Sequence, residues 1–190
     1  MKNTKDIIIS KTSQMFAATG SLDFSIRNLA KQVPITPSVI YHYFKNEEDL
    51  LFAMYLSLNK GLGEKRAMLP KTKTASEMLK QRIRFQIDNQ EDIVAVLKYY
   101  FSHRNNFKKF KNGFVPDKSA LHIEEVLRFG LETKEFKVTN LEDDSKVIAH
   151  AINGFLLEYY PFKPVGKEKD ELIERIYNFL IRALKGGENK

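Results

Sequence analysis

Between Ser25 and Phe44 the sequence SIRNLAKQVPITPSVIYHYF holds two short amphipathic segments with a proline between them. Ser25 is placed to cap the first segment, which sets Ile26, Leu29 and Ala30 on one face. Pro34 then forces a break. Thr36 stands at the cap position of the second segment, and Pro37 takes the first helical position, where its missing N–H costs nothing. Two short helices joined by so tight a break fit a helix-turn-helix, in which the second helix enters the DNA major groove.

Helical periodicity runs through the rest of the chain, and no segment alternates as a strand does. Residues 4–19 form a preceding helix with Ile8, Met15 and Phe16 turned inward and Gly20 as its stop. Asn46 caps a longer helix whose first turn carries Glu47, Glu48 and Asp49, the favourable end for acidic side chains. The polar stretch LPKTKTAS, residues 69–76, marks a domain boundary. Further helices are predicted at about 75–89, 91–104, 118–133, 142–160 and 168–185. The expected fold is all-α with about nine helices. A helix-turn-helix domain occupies residues 1–48, a connecting helix about 47–68, and a second helical domain 69–190.

A hydrophobic fraction of 43% supports a genuine core, so disorder is excluded as the main state. The absence of cysteine rules out disulfides, thiolate metal sites and cysteine nucleophiles. No segment approaches the roughly 18 apolar residues of a membrane span, and the first residues lack a secretory pattern. A cytoplasmic protein without membrane contact is expected. No Ser/His/Asp order, Gly-rich phosphate loop, HExxH or paired Glu/His motif occurs, so neither catalysis, a cofactor nor a metal is expected.

The net charge of +7 suggests an anionic partner, and its distribution is uneven. Within residues 1–46, Lys2, Lys5, Lys11, Arg27, Lys31 and Lys45 stand against only Asp6 and Asp23. On the second short helix, Ile40 and Phe44 are four apart and share a face, while Pro37 with Tyr41 and Ser38 with His42 fall opposite. Phe44 is therefore expected in the core, and Tyr41 and His42 toward a duplex; Tyr43 lies between the faces and fits either. Small residues at the helix start permit close approach to base edges, and Tyr and His can bond phosphates or bases. Arg27 could reach a guanine edge or a phosphate, and Lys45 with the next helix N-terminus suits a phosphate.

Residues 8–51 resemble the DNA-binding region of the tetracycline-repressor (TetR) family. The likeness runs through Met15-Phe16, Gly20, Ser25-Ile26-Arg27, Leu29-Ala30, Tyr41-His42-Tyr43-Phe44, Lys45-Asn46 and Asp49-Leu50-Leu51. The resemblance implies a homodimeric all-α regulator, usually a repressor, released from a double-stranded DNA operator by a small molecule. Carried over by position, it implies an operator-facing set of Ser25, Arg27, Thr36, Pro37, Ser38, Val39, Tyr41, His42, Tyr43 and Lys45. Three positions depart from the family pattern: Pro34 stands where Gly is usual, Ser21 where an aromatic is common, and Val39 where Thr is common.

The last two predicted helices carry narrow polar stripes, Lys146, His150 and Asn153 on one and Glu174, Arg175, Asn178 and Arg182 on the other. So much apolar circumference calls for a second partner, and a two-fold homodimer interface supplies one; complete burial within one monomer is the other solution. Phe85, Tyr99, Tyr100, His103, His122, Phe129, Phe155 and Tyr159 fall on helices that enclose the effector cavity of the family. Aromatic walls with polar tips suit a small-molecule site, and they suit an ordinary helical core as well. The basic connection 104–116, with Phe107, Phe110 and Phe114, is either a solvated loop or a gate favouring an anionic effector. A helical small-molecule or lipid-binding protein without DNA function is the alternative, and it leaves Arg27, Tyr41, His42 and Lys45 unexplained.

Overall fold

The structure, a computed structural model, describes residues 3–20, 24–103 and 119–186. The connection 104–116 lies outside the described residues. Nine α-helices and no strand occur among those described: α1 (Thr4–Thr19), α2 (Ile26–Gln32), α3 (Pro37–Tyr43), α4 (Glu47–Ala67), α5 (Ala75–Asp88), α6 (Gln90–Ser102), α7 (Ser119–Glu132), α8 (Leu141–Tyr159) and α9 (Gly166–Lys185). A single 3-10 turn, Tyr160–Phe162, follows α8. The all-α expectation holds, and every predicted helix is found.

Residues 3–68 with 91–103 form one compact unit. Its helices start and stop on the residues the sequence supplies. Asn3, Ser25 and Asn46 accept from the backbone N–H three residues on, capping α1, α2 and α4. Gly20, at φ 75°, ends α1 by donating its N–H to the Phe16 carbonyl. The core gathers Ile8 and Phe16 from α1, Ile26 and Leu29 from α2, Ile40 and Phe44 around α3, and Leu50, Met54 and Tyr55 from α4. Tyr99 of α6 joins it, its ring 5.0 Å from that of Tyr55 and 6.4 Å from that of Phe16. Lys98, its neighbour, donates from Nζ to the Ala17 carbonyl at 2.5 Å and the Ala18 carbonyl at 3.2 Å. A cation thus meets the carbonyl end of α1, where the helix dipole favours it.

Residues 69–90 with 119–186 form the second unit, in which α5 packs on α7 and α9, and α7 on α8. Leu79 and Ile83 of α5, Ile123, Val126 and Leu127 of α7, Ile152 and Leu156 of α8, and Ile173 and Ile176 of α9 make its core. Phe136 closes on Gly130 so tightly that a Cβ there would lie 2.1 Å from its ring. Glu135, in the same turn, reaches the start of α5: its carboxylate accepts from the N–H groups of Ala75 and Ser76 and the hydroxyls of Ser76 and Thr133. Burial pushes the Glu135 carboxyl up, but these donors outweigh it and hold the group below the usual carboxylate range.

The second apolar face expected of the last helices is narrower than their composition implies. Leu172, Ile173, Ile176, Leu180 and Leu184 of α9 are all buried within their own unit. What stays outside is Phe179, 53% exposed, with Val147 of α8 at 68%. The Phe179 ring meets that of Phe155 edge to face at 6.4 Å.

Candidate nucleic-acid interface

The turn between α2 and α3 is built around Pro34. The Ile35 N–H donates to the Val33 carbonyl at 2.6 Å, a three-residue turn with proline at its centre. Val33 is extended, at φ −114° and ψ 133°, and no residue of the turn has a positive φ. A glycine is therefore not required here, which accounts for proline at this position. Thr36 occupies the cap position of α3 as expected, but its side chain makes no capping hydrogen bond. Pro37 at the first helical position removes one N–H needing a partner, and the Val39 N–H bonds the Thr36 carbonyl at 3.0 Å.

The faces of α3 divide as their spacing predicts. Ile40 and Phe44 are buried, while Tyr41 is 54% exposed and His42 is exposed beside it. Tyr43, which fitted either face, is 40% exposed, its ring 5.2 Å from that of His42. Of the ten residues expected at a duplex, Arg27, Thr36, Pro37, Ser38, Tyr41, His42, Tyr43 and Lys45 are exposed, and Ser25 and Val39 half-buried. All ten lie on α2, α3 and their immediate flanks, and none has entered the core. The Ser25 hydroxyl is partly committed, since it accepts from the Asn28 N–H at 3.2 Å.

Two supporting contacts were not legible in the spacing. Lys5 of α1 lies with its Nζ 5.7 Å from the Phe44 ring centroid. Asp49 accepts from the Lys45 N–H at 2.9 Å while its own N–H donates to Asn46 at 2.8 Å. This reciprocal pair fixes the backbone just past α3 and uses the Lys45 N–H, leaving the Lys45 side chain exposed.

The eight residues expected around an effector are divided between the units. Tyr99, Tyr100 and His103 belong to the first. Burial and the nearby Glu48 carboxylate push the Tyr99 phenol up to about 12. His103 stacks on the Tyr99 ring at 4.2 Å, and its Nδ1 donates to the Tyr99 carbonyl at 3.1 Å. Phe85, His122, Phe129, Phe155 and Tyr159 belong to the second unit. There Phe155 and Tyr159 help line a cavity of about 10 Å³, room for one water. His122 and Phe129 are half-buried on α7, and Phe85 is buried on α5.

That cavity also brings in α5 side chains that the sequence reading passed over. Gln86 and Ile87 of α5 and Gln90 at the start of α6 line it with Ile152 and Leu156 of α8, and Leu172 and Ile176 of α9. One turn before Gln86, Arg82 donates from Nη2 to Glu125 at 3.1 Å. Burial lowers the Arg82 pKa, and the Glu125 charge works against that shift. The signal available in the sequence was the four-residue spacing of Arg82 and Gln86 on a helix that also turns Leu79 and Ile83 inward. Among the described residues no group of three His, Asp or Glu side chains could hold a metal ion, and no helix is long and apolar enough to cross a membrane.

In sequence the chain matches none of the curated proteins. Its fold is nonetheless shared with solved regulators along nearly its whole length. It superposes on the ketosteroid transcriptional regulator KstR2 of Mycobacterium tuberculosis with a TM-score of 0.73 at 13% identity, covering 97% of this chain and 96% of that one. The TetR family regulator PfmR from Thermus thermophilus gives 0.70 at 21% identity, over 98% and 100% of the two chains. FadR from Bacillus subtilis, solved in complex with stearoyl-CoA, gives 0.66 at 16% identity over 93% and 97%. Residues 8–54, which span most of α1, all of α2 and α3 and the turn between them, match the profile described as bacterial regulatory proteins, tetR family. Residues 8–54 thus carry the pattern of the tetR-family DNA-binding region, and the fold as a whole is similar to that of solved regulators of that family.

Proposed function

We propose that the protein is a cytoplasmic repressor that binds a palindromic double-stranded DNA operator as a homodimer and is released by a small-molecule effector. The observation that carries this reading is the division of α3. Its apolar residues Ile40 and Phe44 are buried, and its polar rings Tyr41 and His42 are exposed beside Ser38 and Lys45. A helix that keeps hydrogen-bonding rings in water above a firm core is suited to a major groove. The positive charge of Arg27, Lys31 and Lys45 around it suits the flanking phosphates. In this reading the ten residues from Ser25 to Lys45 named above are the operator-facing set.

The homodimer is supported by the apolar residues that α8 and α9 leave outside, Val147 and Phe179, with Gly154 exposed on α8 and open space around it. A small residue on the outer face of a helix permits close approach by a partner helix. A small-molecule effector is supported by the interior polar groups of the second unit and by the shared fold of FadR, solved with stearoyl-CoA bound. The eight aromatic and imidazole residues at positions 85 to 159 remain the candidate surroundings of that effector.

The test is selection of bound duplexes from a random pool, followed by fluorescence anisotropy on the enriched site. The wild-type protein is expected to enrich a palindrome and to lose affinity steeply with added salt. The double variant Tyr41→Ala, Lys45→Ala is expected to lose site binding while keeping its helical circular dichroism. No enrichment, or undiminished affinity in the double variant, overturns the reading.

A further inference from the structure

Interiors rarely leave polar atoms without partners, because each such atom costs the full penalty of its desolvation. The second unit holds two on one helix, a single turn apart. Arg82 Nε and Gln86 Oε1 are both buried, and neither has a hydrogen-bond partner among the described residues. The two are complementary: one is a donor and the other an acceptor. Gln86 stands on the inward side of α5, one turn beyond Arg82, and lines the cavity with Phe155, Leu156 and Leu172.

Core packing does not account for this pair. A leucine at position 86 would fill the same place without stranding an amide oxygen. Glu125 uses only the Nη2 edge of the guanidinium and is itself largely exposed, which leaves the buried Nε unused. A buried guanidinium repels an ammonium ligand and attracts a carboxylate, which it can grip with two parallel hydrogen bonds.

We propose that Arg82 and Gln86 form the polar end of a binding site for an amphipathic carboxylic acid that carries a hydroxyl close to its carboxylate. The carboxylate accepts from the Arg82 guanidinium, the hydroxyl donates to Gln86 Oε1, and the chain lies against the apolar side chains around the cavity. This deepens the effector part of the proposed function and rests on it. The cavity has room for one water, so the chain enters only by parting the α8 and α9 side chains around it. Binding therefore loosens the packing of this unit in proportion to chain length.

The probes are 3-hydroxyoctanoic acid, its methyl ester, and octanoic acid, titrated calorimetrically into the full-length protein at neutral pH. The hydroxy acid is expected to bind at least about tenfold more tightly than its ester, the worth of a hydrogen bond to a charged group. It is expected to bind about fivefold more tightly than octanoic acid. Arg82→Met should erase the preference over the ester and keep the preference over octanoic acid, and Gln86→Leu should do the reverse. Thermal melts of the unliganded variants report folding, and Arg82→Gln replaces Arg82→Met should the latter not fold. The proposal is overturned by no binding to the wild-type protein, by equal binding of acid and ester, or by preferences that survive their matching substitution. DNA binding by the unliganded wild-type protein is measured separately. A failed titration with intact DNA binding removes the acid site alone, and failed DNA binding removes the regulator reading whatever the titration gives.

Discussion

The two units place their polar side chains on opposite sides of their walls. In the first, Tyr41, His42 and Tyr43 stand in water over a core of Ile40, Phe44, Leu29 and Phe16. In the second, Asn153 is buried and Gln86 lines an interior cavity one helical turn from Arg82, and the outer surface of α8 and α9 carries Val147 and Phe179. A surface that reads a polymer can keep its donors hydrated until the polymer arrives, at little cost to folding. A site for a small molecule must hold its donors dry, and an unmet donor weakens the fold around it. In the proposed reading, function is therefore nearly independent of stability in the first unit and opposed to stability in the second.

The largest test of this contrast uses two adjacent residues. Ile40→Ala should cost about 2–5 kcal/mol of stability in chemical denaturation, whereas Tyr41→Ala should stay within about 0.5 kcal/mol. Comparable losses from both would dissolve the distinction between the inner and outer faces of α3. In the second unit, Gly130→Ala drives a methyl group into the Phe136 ring and should cost about 1–3 kcal/mol. Adding Phe136→Leu should recover part of that loss, and a melt that shows no recovery would place the strain elsewhere.

Glu135→Gln weakens the cap on α5 and should cost about 1 kcal/mol near neutral pH. Because the folded carboxyl is held low, its contribution is present above the ordinary carboxylate pKa of about 4.3 and fades as pH falls through the lower folded value. The melting temperatures of variant and wild type should therefore converge in acid; a constant gap would assign the effect to packing. The smallest folding effect is expected from Phe179→Asp, within about 0.5 kcal/mol. Sedimentation should nevertheless find it monomeric, and a persistent dimer would move the interface away from α9.

What could be read in the sequence was whatever spacing along one helix decides. The inward Ile40 and Phe44, the outward Tyr41 and His42, and the caps at Ser25 and Asn46 follow from residues within four of one another. The Thr36 cap shows the limit, because its position is right and its hydroxyl makes no capping bond. Contacts between helices were out of reach. Lys98 is some eighty residues from the α1 carbonyls it meets, and Glu135 about sixty from the amides it caps. Much of the apolar circumference of the last helix is covered because α9 packs on both α5 and α8, which its composition does not record. The spacing of Arg82 and Gln86 can be read along α5, but their unpartnered atoms emerge only once the helices facing them are in place.

Pro34 carries a consequence for the unfolded chain as much as for the folded one. Between Val33 and Pro37 two ring-locked residues fix φ before any tertiary contact exists, so this segment samples few conformations even when denatured. A glycine in the same turn would roam widely and would have to be immobilised on folding. A proline compatible with its native turn commonly adds about 0.4–1 kcal/mol by that route alone. The angle between the supporting and reading helices is thus partly chosen in advance, by a constraint that no contact in the native structure reveals.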